Sequence, residues 1–379
     1  MNIAIFETEH FEGAYPVIKL FDNGANSIIV FTYERSYRQF NFLFKEDMKR
    51  YEWIVKNENE SKNYFIYKMY KEIKKRNIEL LYLNTVSNNF HSYALLIKML
   101  KGIRICVTIH NINEYFEFNN AETFRQKVRR SGKKLLIKVA KEFNVVSLTM
   151  VENLKKRLPA YKKVYCVPGA IFQKEKIEVA HLTAGEKIKI VVAGTIDVRR
   201  RNYQQVFEFL DKCHLSQLSV EVTLLGGYYG EEGKKVLENC KEYSLKYDDL
   251  KFYNNDVVDQ PEFDRVMNNS HFVWIPSVIE TILQDNVTEV YGVTISSGNL
   301  FDIIKHAKPF IVPAQLQCDN YLNSSSFAYQ QVDDIIDYLQ KFTNGSSLYD
   351  KLKEKALINS ENYTIEKVRY RNKDLFLTQ

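Results

Sequence analysis

Three consecutive arginines, Arg199, Arg200 and Arg201, follow an apolar run, Ile188 to Ala193, that ends in Gly194-Thr195. Guanidinium groups pair with a diphosphate through forked N–H donors, and a glycine turn lets backbone N–H groups approach the same anion. Further along, Tyr291-Gly292 leads to Ser296-Ser297-Gly298 and to a helix start whose first turn holds Asp302. Hydroxyl and N–H groups at such a start bind phosphate, and a carboxylate beside it can accept hydrogen bonds from ribose hydroxyls. A nucleotide-linked substrate is the chemistry these residues share. Each also has a plainer reading: a solvated basic loop for the arginines, an N-cap for the serines, a dipole contact for Asp302. A single glycine at 194 does not make G-x-G-x-x-G, which argues against a dinucleotide.

Proton-handling groups stand in the first half. His110 ends the apolar run that starts at Arg104, at the strand end where open α/β sheets place function. The segment Glu7-Thr-Glu9-His10-Phe-Glu12-Gly13 directly follows the first apolar run, and Glu9 or His10 there is a candidate general base. A histidine satisfied by its neighbours and carboxylates merely solvated in a loop are the competing readings.

Placing these groups requires strands that deliver them to a common edge. Strand-length apolar runs at Ile3–Phe6, Ser27–Thr32, Glu79–Leu83, Arg104–His110, Val145–Leu148 and Val164–Val167 alternate with amphipathic segments at Ser61–Arg76, Phe90–Lys101, Glu122–Phe143 and Val151–Leu158. A second series runs through Ile188–Ala193, Val220–Leu225, Leu250–Tyr253, His271–Ile275 and Phe310–Val312, with helices at Gln204–Cys213, Glu231–Leu245, Pro261–Asn269 and Leu300–His306. Such alternation predicts α/β architecture with parallel, doubly wound sheets, hence two tandem Rossmann-like domains. The polar stretch Gln173 to Lys187 reads as the linker. The expected division is 1–172, 187–345 and a helical tail 346–379.

The segment Val192-Ala-Gly194-Thr-Ile-Asp-Val-Arg-Arg-Arg201, then Trp274-Ile-Pro276-Ser277-Val-Ile-Glu280, then Tyr291-Gly292 through Lys308-Pro309, resembles the nucleotide-binding half of GT-B glycosyltransferases, closest to family four (group 1). The resemblance implies two domains facing across a cleft, with the acceptor on the first, the sugar nucleotide on the second, and C-terminal helices crossing back to the first. It implies donor-binding roles for Gly194, Thr195, Arg199, Arg200, Arg201, Glu280, Tyr291, Ser296, Ser297, Gly298 and Asp302. It places His110 near the donor sugar and Gly13 in the loop that donor and acceptor approach. Glu280 and Asp302 stand 22 residues apart, so extra chain lies between two carboxylates that the family keeps close. Thr195 also replaces an expected arginine, which leaves retaining or inverting chemistry open. The implied function is transfer of a sugar from a nucleoside diphosphate donor, a UDP-sugar favoured, to a carbohydrate or lipid-linked acceptor in surface polysaccharide synthesis. The nucleotide-sugar is a substrate, no other cofactor is expected, and the lack of an Asp-x-Asp motif points to a metal-independent reaction. A nucleotide-sugar epimerase of similar form and a non-catalytic nucleic-acid-binding protein are the alternatives.

With 45% hydrophobic and 26% charged residues, neither disorder nor a membrane-embedded fold is indicated. Five well-spaced cysteines suggest reduced thiols, and cytoplasmic residence is expected. The net charge of +6 is unevenly placed: up to residue 175 there are 30 basic and 18 acidic residues, and beyond it 23 and 29. Much of the excess lies between Lys101 and Lys163, and within it Glu122–Phe143 carries basic residues interleaved with Phe124, Val128, Leu135, Leu136, Val139 and Phe143. An anionic membrane surface, on its inner face, is therefore a candidate partner. No nucleic acid is expected.

Overall fold

The structure, a computed structural model, describes residues 1–117, 123–176, 181–255, 257–343 and 346–376. Strands β1 (Asn2–Phe6), β2 (Ser27–Tyr33), β3 (Glu52–Lys56), β4 (Leu80–Leu83), β5 (Arg104–Thr108), β6 (Glu142–Val145) and β7 (Lys163–Cys166) form one parallel sheet in the order β3-β2-β1-β4-β5-β6-β7. Strands β8 (Ile188–Ala193), β9 (Val220–Leu225), β10 (Leu250–Phe252) and β11 (Phe272–Trp274) belong to a second sheet. The short strands β12 (Glu280–Ile282) and β13 (Thr288–Val290) make a separate antiparallel hairpin. With β14 (Phe310–Pro313) and β15 (Ser326–Tyr329) the second sheet runs β10-β9-β8-β11-β14-β15, again parallel throughout.

The helices of the first domain are α1 (Phe11–Phe21), α2 (Glu34–Phe44), α3 (Lys62–Lys75), α4 (Phe90–Met99), α5 (Asn113–Phe116), α6 (Phe124–Val139) and α7 (Leu148–Arg157). Those after the linker are α8 (Tyr203–Leu215), α9 (Gly230–Ser244), α10 (Gln260–Asn269), α11 (Gly298–His306), α12 (Val332–Gln340), α13 (Ser346–Ser360), α14 (Ile365–Arg371) and α15 (Lys373–Phe376). Sheet strands such as Leu80-Leu-Tyr-Leu83 are buried along their whole length because helices cover both faces. On one face of the first sheet, α3, α4, α6 and α7 pack around Phe65, Met69, Phe90, Leu136 and Leu154. On the other, α1 and α2 are joined by Val368 of α14 and Leu375 of α15. The C-terminal helices therefore cross back to the first domain. Arg369 Nε donates to the Leu20 carbonyl at 2.7 Å, and Asn372 exchanges two 2.9 Å hydrogen bonds with the backbone of Cys166. Before the crossing, α13 lies on the second domain, where Tyr349 is fully buried with Phe272 and Leu339.

Three local differences from the sequence reading have physical causes. The long helix expected to reach Phe143 stops at Val139, and the strand expected from Val145 begins at Glu142. Polar Glu142 and Asn144 hide the strand pattern, yet both are buried and paired. Glu142 takes a forked ion pair from Arg104 at 2.8 and 3.0 Å, and Asn144 Oδ1 accepts from Val167 N at 2.6 Å. The helix expected from Glu122 starts, among the described residues, at Phe124 behind a Thr123–Gln126 capping box. Glu122 itself, and 177–180 of the linker, lie outside the described residues. The extra chain between Glu280 and Asp302 is the β12–β13 hairpin.

Candidate functional site

Both sheets reverse strand order beside their first strand, between β1 and β4 and between β8 and β11, and the candidate residues gather at the carboxyl ends there. On the first domain, Glu7 directly follows β1 and is fully buried. Its Oε1 accepts from the N–H groups of Thr8, Glu9 and His10 at 2.6, 2.6 and 2.8 Å, and its Oε2 from Asn84 Nδ2 and Thr85 Oγ1 at 2.6 and 2.7 Å. Five donors on one carboxylate compensate its desolvation and shape the loop that opens α1. Replacing it with an amide swaps an acceptor oxygen for a donor. Glu7→Gln is therefore expected to lower stability by about 2–3 kcal/mol, read by denaturant unfolding.

Glu9 and His10 lie exposed on that loop, Glu9 accepting a short hydrogen bond from Ser87. His10 packs beside His110, ring centroids 5.2 Å apart. His110 Nε2 lies 2.8 Å from the Asn84 carbonyl oxygen and 3.3 Å from Thr85 Oγ1. A carbonyl only accepts, so Nε2 carries the proton and Nδ1 presents its lone pair. Burial, with repulsion from His10, pushes the His110 pKa down to about 4, so the ring is neutral near pH 7. Gly13, in the first turn of α1, has open space before it, the nearest atom to an added Cβ being Asn84 Nδ2 at 4.0 Å.

On the second domain, Gly194 adopts φ of +90°. An added Cβ would stand 2.6 Å from Arg201 Nη2, so glycine lets this guanidinium lie on the turn. Arg201 donates to the Thr195 carbonyl at 2.8 Å and to Asn299 Oδ1 at 2.9 Å. Asn299 in turn donates to the Ala193 carbonyl at 2.8 Å and reaches Asp302 Oδ2 at 3.4 Å. One buried amide thus ties the end of β8, Arg201 and Asp302 into a single network. Ser297 precedes α11 without a side-chain cap, and open space surrounds the Cβ position of Gly298, so the helix N-terminus is accessible. Burial raises the Asp302 pKa to about 7, with Lys305 and Arg201 opposing and Glu12 of the facing domain adding to it. Glu12, in the first turn of α1 and exposed as a residue, is raised too, by desolvation from the protein around its carboxyl group.

The structure brings together Glu9, His10, Gly13 and His110 on one wall, and Gly194, Thr195, Arg201, Ser297, Gly298 and Asp302 on the other. It does not bring the rest. Arg199 is forked onto Asp197 at 2.9 and 2.7 Å and lies over the Tyr229 ring. Arg200 donates to the hydroxyl of buried Tyr291 at 3.1 Å. Ser296 lines a separate cavity with Ser147, Phe301, Asp319, Tyr363 and Arg371. Glu280 is exposed at the start of β12, opposite Val290, and shares no hydrogen bond or ion pair with α11 among the described residues. Tyr291 and Gly292 form a turn, Gly292 at φ of +81° against the backbone of Gln317.

Two contributors escaped the sequence reading. Asn299 is one; Gly226 is the other, since a Cβ there would lie 2.4 Å from the Gly194 carbonyl oxygen. The pair Gly226-Gly227 directly after the apolar run Val220–Leu225 was the available signal. Asn299 had none, being one asparagine among many.

The β12–β13 hairpin joins the walls. Glu289, almost fully buried, accepts from the N–H groups of Asn113 and Glu114 at 3.3 and 2.8 Å, just beyond His110. Asn113 Nδ2 donates to the Thr288 carbonyl at 2.8 Å, and Ile112 N to the Thr294 carbonyl at 2.9 Å. At the hairpin tip, Asp285 and Asn286 both adopt φ of +53°, and Asp285 meets Lys133 of α6 at 2.8 Å and Arg129 at 3.1 Å. Burial raises the Glu289 pKa to about 7.

Two parallel Rossmann-like sheets with strand ends converging on one cleft, and a C-terminal helix returning to the first sheet, are an arrangement found in solved structures. The sucrose-phosphate synthase from Thermosynechococcus elongatus matches at a TM-score of 0.64 and 13% identity, over 99% of this chain and 98% of that one. The fold is GT-B-like. Two further GT-B-like matches are the catalytic domain of starch synthase IV from Arabidopsis thaliana bound to ADP and acarbose, and the UDP-GlcNAc 2-epimerase from Neisseria meningitidis bound to UDP-GlcNAc. The first has a TM-score of 0.62 and 10% identity over 99% of this chain and 98% of that one. The second has a TM-score of 0.60 and 10% identity over 99% of each chain. No protein-family model matches the chain, and no curated protein matches its sequence. Among the described residues no His, Cys, Asp and Glu side chains cluster as a metal site, and no helix is long and apolar enough to cross a membrane.

Proposed function

We propose that the protein is a glycosyltransferase that moves a sugar from a nucleoside diphosphate donor, a UDP-sugar favoured, to a carbohydrate or lipid-linked acceptor. The observation that carries this reading is the Gly194–Arg201–Asn299–Asp302 network, set beside the uncapped N-terminus of α11 and facing His110 across the cleft. A diphosphate seated on the Gly194 turn would accept from backbone N–H groups and Arg201, and Asp302 would take the ribose hydroxyls. Charge developing on the departing diphosphate is stabilised by donors already in place. The acceptor hydroxyl would enter over Gly13, where the lone pair of His110 Nδ1 can take its proton. With the ring pushed down to about 4 it is a weak base in the empty cleft, and the negative charge of a bound diphosphate raises its basicity.

A second reading, a nucleotide-sugar epimerase, draws support from the comparable likeness to the Neisseria enzyme and from two facing carboxyl groups with raised pKa values, Glu12 and Asp302. Such a pair suits acid and base roles on one bound sugar. Both readings share the nucleotide site.

A thermal-shift panel of UDP, GDP, CMP, ADP and NAD tests that site. One nucleoside diphosphate is expected to raise Tm selectively, by about 2.7 kcal/mol of linkage at a hundredfold excess over Kd. No response to any of them would refute both readings. Incubating the corresponding sugar nucleotide without acceptor then separates them, since only the epimerase converts it to a new nucleotide sugar.

A further inference from the structure

One face of the first domain leaves a group of large apolar side chains exposed. Helices α3, α4 and α6 lie side by side over the same side of the first sheet. Their close approach is visible in two places. Gly132 of α6 sits where a Cβ would meet Phe90 and His91 of α4 at 2.8 Å, and Asn63 Oδ1 of α3 accepts from Ser92 Oγ of α4 at 2.9 Å. Outward from this triple layer point Tyr64, Tyr67, Leu95, Met99, Phe124 and Val128, exposed by 59, 47, 57, 40, 83 and 44%. Within α4, Leu95 and Met99 are one turn apart, and within α6, Phe124 and Val128 are too, so each pair shares a helix face.

Cations surround these side chains. Lys98, Lys101, Arg125, Lys127 and Lys138 are exposed on the same two helices and the turn after α4, and neither α4 nor α6 contains an acidic residue. The stripe that the sequence suggested for this role divides: Phe124 and Val128 belong to the exposed face, whereas Leu136 of α6 is fully buried in the core and Phe143 lies in β6. The rest of the free face, on α3 and α4, is brought beside them by the fold and is not legible in α6 alone.

We propose that this face docks on an anionic lipid bilayer. Aliphatic and aromatic side chains ringed by lysine match a headgroup boundary, where the apolar groups enter the acyl region and the ammonium groups meet lipid phosphates. A nucleic acid would be served by aromatic platforms lining a groove, whereas Leu95, Met99 and Val128 offer no stacking surface. Helices α3 and α4 directly follow β3 and β4, so both begin on the carboxyl-end side of their sheet, the side on which the cleft lies. A docked bilayer would then lie next to the first-domain wall.

Vesicle co-sedimentation tests the proposal independently of the nucleotide site. The protein is expected to pellet with vesicles of phosphatidylcholine containing a third of phosphatidylglycerol, less so as salt rises, and not with phosphatidylcholine alone. The variant Leu95→Ser/Phe124→Ser and the variant Lys127→Glu/Lys138→Glu are each expected to weaken binding by at least about tenfold while leaving Tm and the nucleotide-induced shift unchanged. Absence of sedimentation, sedimentation unaffected by either variant, or salt-sensitive binding of RNA or duplex DNA in place of vesicles would overturn it.

Discussion

Lys133→Ala is expected to destabilise the protein by about 3 kcal/mol and to loosen the two domains. Lys133 is 1% exposed, its ammonium 3.3 Å from Glu114 of the first domain and 2.8 Å from Asp285 on the hairpin of the second. Removing one partner of a buried ionic group leaves the others as uncompensated charges, which costs about 3–5 kcal/mol. The lower end applies because Asp285 keeps Arg129 and retains some solvent contact. Denaturant unfolding reads the loss, and small-angle scattering reads the loosening as a larger radius of gyration. Lys133→Met preserves most of the volume, so a loss equal to that of alanine assigns the effect to charge. Adding Glu114→Gln and Asp285→Asn to Lys133→Met is expected to recover much of it. A Lys133→Ala protein as stable and compact as the parent would refute the clamp.

Arg201→Ala is expected to reduce affinity for the preferred nucleoside diphosphate by about 10- to 100-fold, the range for losing a charged hydrogen-bonding partner. Titration calorimetry measures it directly. Arg201 also orients Asn299 and the Thr195 carbonyl, so Arg201→Lys, which keeps the charge without the fork, is expected to fall between the two. Arg199→Ala serves as the contrast. Its guanidinium is committed to Asp197 and Tyr229, and removing it is expected to change affinity by no more than about threefold, as for a screened surface charge. Equal effects at 199 and 201 would show that only bulk positive charge matters.

Much of the fold was open to a reader of the chain. Long apolar strands such as Ile188–Ala193 and Val220–Leu225, alternating with amphipathic helices, leave few arrangements other than parallel sheets covered on both faces, and short connections set the strand order. The candidate residues at strand ends followed from the same logic. His110 and Gly194 sit next to the carboxyl ends of β5 and β8, and α/β sheets converge there whatever their sequence.

Tertiary structure decided which of those residues act together. Three adjacent arginines look alike on paper, yet Asp197 binds Arg199, Tyr291 holds Arg200, and only Arg201 reaches the network of Asn299 and Asp302. Glu7, unremarked beside Glu9 and His10, became the organiser of its loop because five donors from two strand ends converge on it. The hairpin between Glu280 and Asp302 read as inserted length and proved to be the clamp between domains. The physical reason is the same in each case. Hydrophobic periodicity is local and survives in the one-dimensional chain, whereas a carboxylate's partner is set by which distant segment the fold carries to within 3 Å of it.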